Sequence, residues 1–523
     1  MATEILEPKV PFGQMSTEQK VGTIMHDRTP SPERVIYQPT IEFLDSEGEL
    51  TREERGRVIA MGDRTAISYR ELKQIVLGKK GGETPDFYLQ YTLAAKSSKE
   101  IAHTSILEQV NVGVEQLGGD PPIVIEGVST LAALRDVCSL RHFGFEAFSS
   151  RGGIFPEGYW RIPIPLTQTP IAEDLAVITR EIHERYLLLT ARALGYYFER
   201  MQPFEEEKER DFKWRVLNSA LDDSRQVTNG VFLNHFAMHP NSALSLREGI
   251  VKLSSSELPE TQAIANGLRG LAEGGLPTLM RYTDPSEYTQ GLWDKKRRLV
   301  QGLGIRPEED TLLEEGRSHL KDLGVSRRAE RVFLAAFLSN RGNASWQEAF
   351  HKLQTMGEGR VNAMITQIFQ GMGLHDKPPE ELEVIQIHAR GLISQGGIYE
   401  LIRHRPATHI VANFATRWGF SVPTSFDEMG LRGLYIDTIN LSREAWLKVG
   451  SLGSRFEEVF GPYFVARGHL GPASIRASGL DAFHIIKLRY SPNAHADVAA
   501  VARDLDTLLK QKAPGIFSHV VKK

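Results

Sequence analysis

Residues 398–409 read I-Y-E-L-I-R-H-R-P-A-T-H and contain the most informative cluster of the chain, Arg403-His404-Arg405. The apolar residues before this cluster are typical of a strand or of a buried helix. Two guanidinium groups beside a core are costly unless an anionic or electron-rich group meets them. Their planar N–H donors suit phosphate, carboxylate or the carbonyl edge of a heterocycle. The cluster therefore indicates such a ligand, although a solvated helix end would also explain three consecutive polar residues.

The composition is that of an ordinary globular protein. The chain has 523 residues, of which 41% are hydrophobic and 24% charged, and its net charge is -4. This length allows roughly two to four domains, and the balanced charge offers no field that would attract nucleic acid or an anionic membrane. A single cysteine, Cys138, excludes an internal disulfide and favours a reducing compartment. With no long apolar run and no signal peptide, we expect a cytoplasmic protein without membrane or nucleic-acid partners.

Charge patterning divides the chain into four predicted regions. Residues 1–50 mix Pro, Glu, Ser and Thr without periodicity, which favours an arm that lies over the surface. Residues 286–329 include D-K-K-R-R and P-E-E-D-T-L-L-E-E-G at helical spacing, which predicts a charged helical connector. These two segments leave domains at residues 51–285 and 330–523.

The two predicted domains share several motifs in the same order. A glutamate follows a histidine by five places in each, and an Arg-His pair comes later in each, Arg141-His142 and Arg403-His404. A final helix runs from Glu260 to a proline in the first and from Asp497 to a proline in the second. Short strands around the Arg-His pairs precede long helices, which favours the α+β class. The pattern predicts two tandem copies of one domain with a small mixed sheet and long helices.

In the second copy these motifs resemble those of the flavin-dependent thymidylate synthases. R-H-R is intact at residues 403–405, V-A-R ends at Arg467, L-R ends at Arg489, and A-H-A-D contains His495. In that family these elements are the R-H-R hallmark, an A-R dipeptide, a nucleotide-binding arginine and an H-A-Q region. Asn413 and Val411 stand where the family has Ser and Glu after R-H-R, so the nucleotide-binding segment departs from the pattern here.

The first copy departs from the family in complementary places. Its segment L-R-H-F-G-F-E-A-F-S-S-R-G has Phe143 in place of the second arginine of R-H-R. It retains residues that resemble the family's E-x-S-x-R motif, namely Glu146, Ser149, Ser150 and Arg151. Arg225 and Asn241 stand sixteen apart, as the family's A-R and flavin-side Asn do, whereas Leu253 replaces the nucleotide-binding arginine.

The resemblance implies methylation of dUMP to dTMP, with methylenetetrahydrofolate as carbon donor, reduced FAD as hydride donor and NADPH as reductant. It implies catalytic roles for Arg403, His404 and Arg489. The implied cofactor-binding residues are Arg403, His404, Arg405, His103, His375, Asn241 and His495. The implied substrate-binding residues are Glu146, Ser149, Ser150, Arg151, Arg467 and Arg489, with the Gly152 and Gly153 amides completing a phosphate cradle. No metal is implied, and His235 and His239, four apart, have no clear third ligand.

Two accounts explain the complementary departures. One composite site could take R-H-R and Arg489 from the second copy and Glu146, Ser150 and Arg151 from the first, or the copies could have decayed after duplication. Because the family forms homotetramers, the resemblance implies a homo-oligomer, namely a dimer of fused chains. Two other functions stay open: a flavoenzyme of the same fold acting on another uridine nucleotide, and an inactive scaffold that binds flavin or nucleotide.

Overall fold

The computed structural model describes residues 11–63, 65–78, 122–275, 277–278, 280–303, 315–374, 376–491 and 494–522. Small antiparallel sheets and many helices make up this part of the chain, and the α+β prediction is confirmed. The chain divides into two compact units. The first unit comprises residues 1–307 and 423–466, and the second comprises residues 308–422 and 467–523.

The first unit contains a four-stranded sheet. Its strands are β1 (Thr40–Phe43), β2 (Ile123–Ser129), β3 (Phe143–Ala147) and β4 (Leu233–Pro240), in the order β1-β2-β4-β3. Every neighbouring pair is antiparallel. All residues of β2 and β3 are buried, which explains why these strands are apolar on both faces instead of alternating.

Long helices accompany this sheet. The longest, Ala172–Arg200, places apolar residues such as Leu175, Ile178 and Ile182 at spacings of three and four, so one stripe is buried. The helices of the first unit are Thr17–Arg28, Arg52–Gly62, Tyr69–Val76, Ile164–Thr167, Ala172–Arg200, Glu209–Ser224, Ala243–Ser254, Pro259–Gly275, Glu287–Gln290, Leu292–Gly302, Thr424–Glu428, Arg432–Gly450 and Ser454–Phe460, with a π-helix at Leu131–Val137.

The second unit contains a four-stranded sheet of the same order. Its strands are β6 (His319–Val325), β7 (Gln386–Ser394), β8 (Thr408–Val411) and β10 (Leu470–Ser478), in the order β6-β7-β10-β8. A short parallel pair joins β5 (Glu315–Gly316) to β9 (Phe420–Ser421). The helices are Ala329–Ser339, Trp346–Gln354, Glu358–Phe369, Gln395–Leu401, Gly479–Arg489, Ala496–Lys512 and Pro514–Phe517, with a 3-10 helix at Glu380–Val384. The predicted mixed sheet is wrong in detail, because both four-stranded sheets are antiparallel throughout.

Matching hydrogen bonds define equivalent positions in the two sheets. β2 ends at Ser129 and β7 at Ser394, and each hydroxyl accepts a bond from the backbone N–H three residues later. Ser129 lies opposite Leu233 in β4, as Ser394 lies opposite Leu470 in β10. The next residue in each unit donates its backbone N–H to the carbonyl oxygen just before β4 or β10. Thr130 donates to Phe232 at 2.7 Å, and Gln395 donates to His469 at 2.9 Å. This correspondence supports the tandem copies, which stay a prediction.

The compact units differ from the predicted ranges. The predicted arm contains the helix Thr17–Arg28, which begins at a Ser16–Gln19 capping box, and also the edge strand β1. The predicted connector contains the helix Leu292–Gly302 and then β5 and β6. Residues 423–466, predicted to belong to the second copy, lie in the first unit. Within the described ranges, every helix is too short or too polar to span a lipid bilayer.

Candidate active site

The Arg403-His404-Arg405 cluster lies in the turn between the helix Gln395–Leu401 and strand β8. The Ser394 hydroxyl accepts the Gly397 N–H and begins this helix. Arg403 is exposed, Arg405 is half-buried, and His404 is only 7% exposed. The turn therefore points the imidazole into the second unit and one guanidinium toward solvent.

Arg489 binds the buried histidine. It is the last residue of the helix Gly479–Arg489, and its Nε lies 3.1 Å from His404 Nε2. Its Nη1 lies 3.3 Å from Glu400 Oε2, and its Nη2 lies 3.3 Å from the Glu400 carbonyl oxygen. The structure thus brings together His404 and Arg489, both predicted as site residues and 85 positions apart, and adds Glu400.

The bond between Arg489 and His404 fixes the proton on the imidazole. An arginine Nε always carries a hydrogen and can only donate, so His404 Nε2 accepts. The proton of the neutral ring must then lie on Nδ1. Burial lowers the pKa of His404 well below its usual value, and the positive charge of Arg489 lowers it further. His404 is therefore a neutral hydrogen-bond donor at physiological pH, and not an acid or base that exchanges its proton.

His484, which was not among the predicted site residues, also contacts the imidazole. The rings of His404 and His484 meet edge to face, with their centroids 5.5 Å apart. Burial lowers the pKa of His484 as well, which keeps a second positive charge away from Arg489. Its position five residues before Arg489 in one helix is the only sequence signal that could have found it.

Arg467 contacts the same short helix from another direction. Its carbonyl oxygen accepts the N–H of Gly396, and its guanidinium lies over the Tyr399 ring, 5.7 Å from the centroid. The helix Gln395–Leu401 is therefore a common support for Arg467 and Arg489. His495 is buried just before the helix Ala496–Lys512, where Asp497 accepts a bond from Ser421 at 3.2 Å.

In the first unit, the predicted substrate residues Ser150 and Arg151 belong to a network of charged groups. Arg151 Nη2 lies 2.7 Å from Asp222 Oδ2, and Arg225 Nη2 lies 2.9 Å from Asp222 Oδ1. Arg225 Nη1 also donates to the Ser150 hydroxyl at 3.2 Å. Asp222, which joins the two arginines, was not predicted, because nothing in the sequence distinguishes it from its neighbour Asp223.

The Gly152 and Gly153 amides of the predicted phosphate cradle bond within their own turn. The N–H groups of Gly152 and Gly153 donate to the Ser149 carbonyl oxygen at 2.7 and 3.3 Å, so the turn itself uses both amides. Glu146 is buried in β3 opposite Ala237. This segment is therefore a closed turn in which both amides are already bonded.

The remaining predicted cofactor residues receive little support. Asn241 is exposed, and its backbone N–H donates to the His142 carbonyl oxygen. Ser242, the next residue, caps the helix Ala243–Ser254. His103 and His375 lie outside the described residues.

The predicted correspondence between the two Arg-His pairs is wrong by two residues. Gly144 in β3 and Thr408 in β8 occupy the same register, opposite His239 and Arg476. Leu140 and His404 stand four residues before Gly144 and Thr408, so these two residues are equivalent. Each donates its backbone N–H to the carbonyl oxygen of the residue three positions earlier. His142 is instead exposed, at a left-handed turn position with φ 62°. Because the two Arg-His dipeptides are identical in sequence, the two-residue difference between their structural positions could not be recognised without the strand register.

Two buried titratable residues lie on strands of the first sheet, Glu126 on β2 and His235 on β4. Burial raises the pKa of Glu126 to about 7, and its Oε1 accepts the N–H of Tyr69 at 2.9 Å. Burial lowers the pKa of His235 to about 4, and its Nε2 donates to the Gly62 carbonyl oxygen at 2.8 Å. A lone glutamate inside the apolar run I-V-I-E-G-V was the signal for Glu126. Among the described residues, no group of three or more His, Cys, Asp or Glu side chains could hold a metal ion.

No protein-family model matches the sequence, and no curated protein matches it either. Among solved structures, the chain is similar to a UMP/dUMP methylase, PolB, from Streptomyces cacaoi, bound with 5-Br dUMP. The two are 14% identical, and the TM-score is 0.33. The alignment covers 39% of this chain and 96% of that chain.

Proposed function

We propose that this chain is a flavin-dependent enzyme that methylates a uridine nucleotide, with dUMP as the substrate. The observation that supports this proposal most is the bond between His404 and Arg489 at 3.1 Å. R-H-R and the later arginine are the residues on which the resemblance to flavin-dependent thymidylate synthases depends. The fold brings these two residues, 85 positions apart, into hydrogen-bonding contact.

The side chains around this centre fit the chemistry of a flavin nucleotide. Arg403 is exposed and Arg405 is half-buried, and both guanidinium groups can donate to phosphate oxygens or to the carbonyl oxygens of a flavin ring. We propose that these two arginines hold FAD, with His495 and Arg467 as further candidates in the same unit. When bound, reduced FAD would supply the hydride that completes the methyl group, while methylenetetrahydrofolate supplies the carbon and NADPH reduces the flavin.

The residues of the chain would then act by positioning and polarisation. His404 presents Nδ1–H as a fixed donor, because Arg489 occupies Nε2. Glu400 holds the Arg489 guanidinium through its carboxylate and its carbonyl oxygen. Such a preorganised donor stabilises negative charge on a nearby ligand oxygen without moving a proton. Arg489 acts in this proposal as a positioning residue for His404.

The proposed site belongs to the second unit, so we expect one flavin per chain. The equivalent positions in the first unit, Leu140 and Leu253, are buried apolar residues that offer no donor to a ligand. The role of Glu146, Ser149, Ser150 and Arg151 in holding the nucleotide stays a prediction, as does the composite site.

A catalytically inactive scaffold is the second candidate. It is favoured by the first-unit network, in which Asp222 binds Arg151 and Arg225, and Arg225 binds the Ser150 hydroxyl. A nucleotide phosphate would have to displace these bonds. Absence of turnover in a preparation that binds flavin would support this candidate.

The first test is the visible spectrum of the purified chain with FAD, followed by titration with dUMP. We expect a bound flavin at a ratio of one per chain, and a change in its spectrum when dUMP is added. Incubation with methylenetetrahydrofolate and NADPH should then convert dUMP to dTMP, as measured by mass spectrometry of the nucleotide. A folded chain that takes up no flavin would overturn the proposal.

Variants of Arg403 and Arg405 locate the flavin. Arg403→Ala and Arg405→Ala should each weaken FAD binding about tenfold, the loss expected when one charge-assisted contact is removed. Arg390→Ala is the matched control, because Arg390 is an exposed arginine of the same unit that pairs with Asp322. Equal FAD affinity in all three variants would show that the flavin does not bind at this turn.

A further inference from the structure

One helix of the first unit leaves an apolar face uncovered. This connector helix, Leu292–Gly302, has five large apolar side chains on one side that are between 40% and 73% exposed. They are Leu292, Trp293, Leu299, Val300 and, immediately after the helix, Leu303. Such a contiguous exposed apolar face on an otherwise polar surface is typical of an interaction site.

The same helix also carries exposed basic side chains. Lys295, Lys296 and Arg298 are exposed, and the Lys296 ammonium lies 4.2 Å from the centroid of the Trp293 ring. Arg297 pairs with Asp294 of the same helix and with Glu257, which lies just before the helix Pro259–Gly275. The pair with Glu257 anchors the helix, and the three other cations stay on the exposed side. The connector helix therefore offers apolar and positively charged groups together.

The second unit has a surface of the opposite character. An open cleft of about 370 Å³ lies between the helices Ala329–Ser339 and Trp346–Gln354 and the 3-10 helix Glu380–Val384. We call it the acidic cleft, and its lining is Ala336, Ser339, Asn340, Trp346, Glu380, Glu381, Glu383 and Val384. Trp346 and Val384 are each 42% exposed, and the Trp346 ring stacks on Phe350 with centroids 4.7 Å apart.

Hydrogen bonds hold part of the cleft in shape. The Asn340 side-chain amide donates to Glu380 Oε1 at 3.1 Å and to Glu381 Oε1 at 2.7 Å. Both carboxylates keep their remaining oxygens available at the rim, and Glu383 is exposed beside them. The acidic cleft therefore combines an exposed tryptophan with three carboxylates, which suits an amphipathic helix that carries lysine and arginine.

We propose that the connector helix of one molecule docks into the acidic cleft of a second molecule of this chain. The apolar side chains of the helix would cover Trp346 and Val384, and its three cations would meet the three carboxylates. Pairing two connector helices with each other would instead bring like charges together. An anionic membrane would attract the helix but would repel the acidic cleft, so the second molecule is the occupant that explains both surfaces.

The expected association is moderate and depends on salt. One short helix in a cleft is at the small end of specific interfaces, so we expect a dissociation constant on the order of 10 μM at low ionic strength. Because the charged groups lie at the rim, high salt should weaken the association about tenfold. Sedimentation equilibrium of the full chain over a range of concentrations and salt measures both quantities.

Charge reversal tests the two surfaces separately. Lys295→Glu/Lys296→Glu/Arg298→Glu removes the basic face, and Glu380→Lys/Glu381→Lys/Glu383→Lys removes the acidic one. All six side chains lie on the surface or at the open rim of the cleft, so circular dichroism and the melting temperature should stay those of the parent. We expect each triple variant to associate at least about thirtyfold more weakly than the parent.

Mixing and combining the variants decides the proposal. An equimolar mixture of the two triple variants should recover association, because the first keeps an intact cleft and the second keeps an intact helix. A chain that carries all six reversals should also associate, through an acidic helix and a basic cleft. A parent chain that is monomeric at high concentration, or a dimer that persists in either triple variant, would overturn the proposal.

Discussion

Buried His404 and half-buried Arg489 form a polar pair in the second unit, whereas the equivalent positions of the first unit hold Leu140 and Leu253. The equivalence of Arg489 and Leu253 follows from the helix caps. The hydroxyls of Ser478 and Ser242 each accept the backbone N–H three residues later. Arg489 stands eleven places after Ser478, and Leu253 stands eleven places after Ser242. The same backbone arrangement therefore supports a polar pair in one unit and an apolar pair in the other.

The acidic residue beside each pair differs less. Glu400 in the second unit corresponds to Asp136 in the first. Glu400 binds Arg489, but Asp136 accepts bonds from nearby groups, namely Arg135 at 2.8 Å, Thr261 at 2.7 Å and Ser256 at 3.1 Å. The carboxylate is kept in both units, and it binds the distant Arg489 in the second unit but the adjacent Arg135 in the first.

This contrast separates stability from function. Two buried leucines stabilise a core by about 1.5–3 kcal/mol each, whereas a buried ion-paired cluster must first repay its desolvation. A polar pair at positions where leucines fit is therefore not explained by stability. That is the physical reason for placing the proposed site in the second unit.

Introducing the arginine into the first unit should have the largest effect. Leu253→Arg places a guanidinium at a buried apolar position, where the equivalent carboxylate, Asp136, already binds Arg135 and Thr261, and should lower the free energy of unfolding by about 4 kcal/mol. Urea titration followed by circular dichroism measures the loss, and Leu253→Met is the volume-matched control. Equal stability of the arginine and methionine variants would show that the first unit can accept the polar pair.

Removing the arginine from the second unit should have the next largest effect. Arg489→Leu leaves His404 Nε2 and the Glu400 carboxylate without their donor and should cost about 3 kcal/mol. Arg476→Leu is the control, because Arg476 is exposed on β10. The double change His404→Leu/Arg489→Leu reproduces the first-unit pair and should recover at least about 1 kcal/mol of the loss. If the double variant is less stable than the single one, the two sets of positions are not equivalent.

A bulge in β2 gives the first unit a pH dependence of its own. The pairing of β2 with β4 shifts between Ile125 and Val128, around Glu126, whereas the pairing of β7 with β10 is continuous. The pKa of Glu126 is raised to about 7 in the folded state, above its usual 4.5. The folded protein thus holds this proton more tightly than the unfolded chain does. The contribution of Glu126 to stability is therefore largest at low pH and is lost as pH rises through about 7.

Glu126→Gln should remove that loss, because the amide oxygen can still accept the Tyr69 N–H. At pH 8 the variant should be about 2 kcal/mol more stable than the parent, and the difference should shrink toward pH 5. Thermal unfolding at several pH values measures the trend. Glu248→Gln, an exposed change on the helix Ala243–Ser254, is the control. A gain of the same size at every pH would contradict a raised pKa.

The smallest expected effect concerns Glu400. Glu400→Gln keeps an oxygen that can accept from Arg489 but removes the charge, so it should cost about 1 kcal/mol. Because the imidazole is held less firmly, FAD affinity should also fall in this variant. The matched change in the first unit, Asp136→Asn, should lower stability without changing flavin binding. Flavin loss in both variants would mean that the two carboxylates have the same role.

The sequence by itself determined the α+β class and several local features. Capping serines, helical periodicity and apolar strands depend on neighbours within a few residues, so they can be recognised without a structure. It also selected the Arg403-His404-Arg405 cluster, because charged residues beside an apolar stretch are unusual, whereas Arg489, Ser150 and Arg151 were selected through the resemblance to flavin-dependent thymidylate synthases. The apolar replacement at Leu253 was visible for the same reason.

Only the tertiary structure decided which of these residues meet. The partners Glu400 and Asp222 are ordinary acids in the sequence, and their roles follow from helices that bring distant residues within hydrogen-bonding distance. Leu140, and not His142, corresponds to His404 because strand register, set by hydrogen bonds across β3–β4 and β8–β10, fixes equivalence. Residues 423–466 lie in the first unit because their buried faces pack there, and packing between distant segments is not encoded in any local pattern.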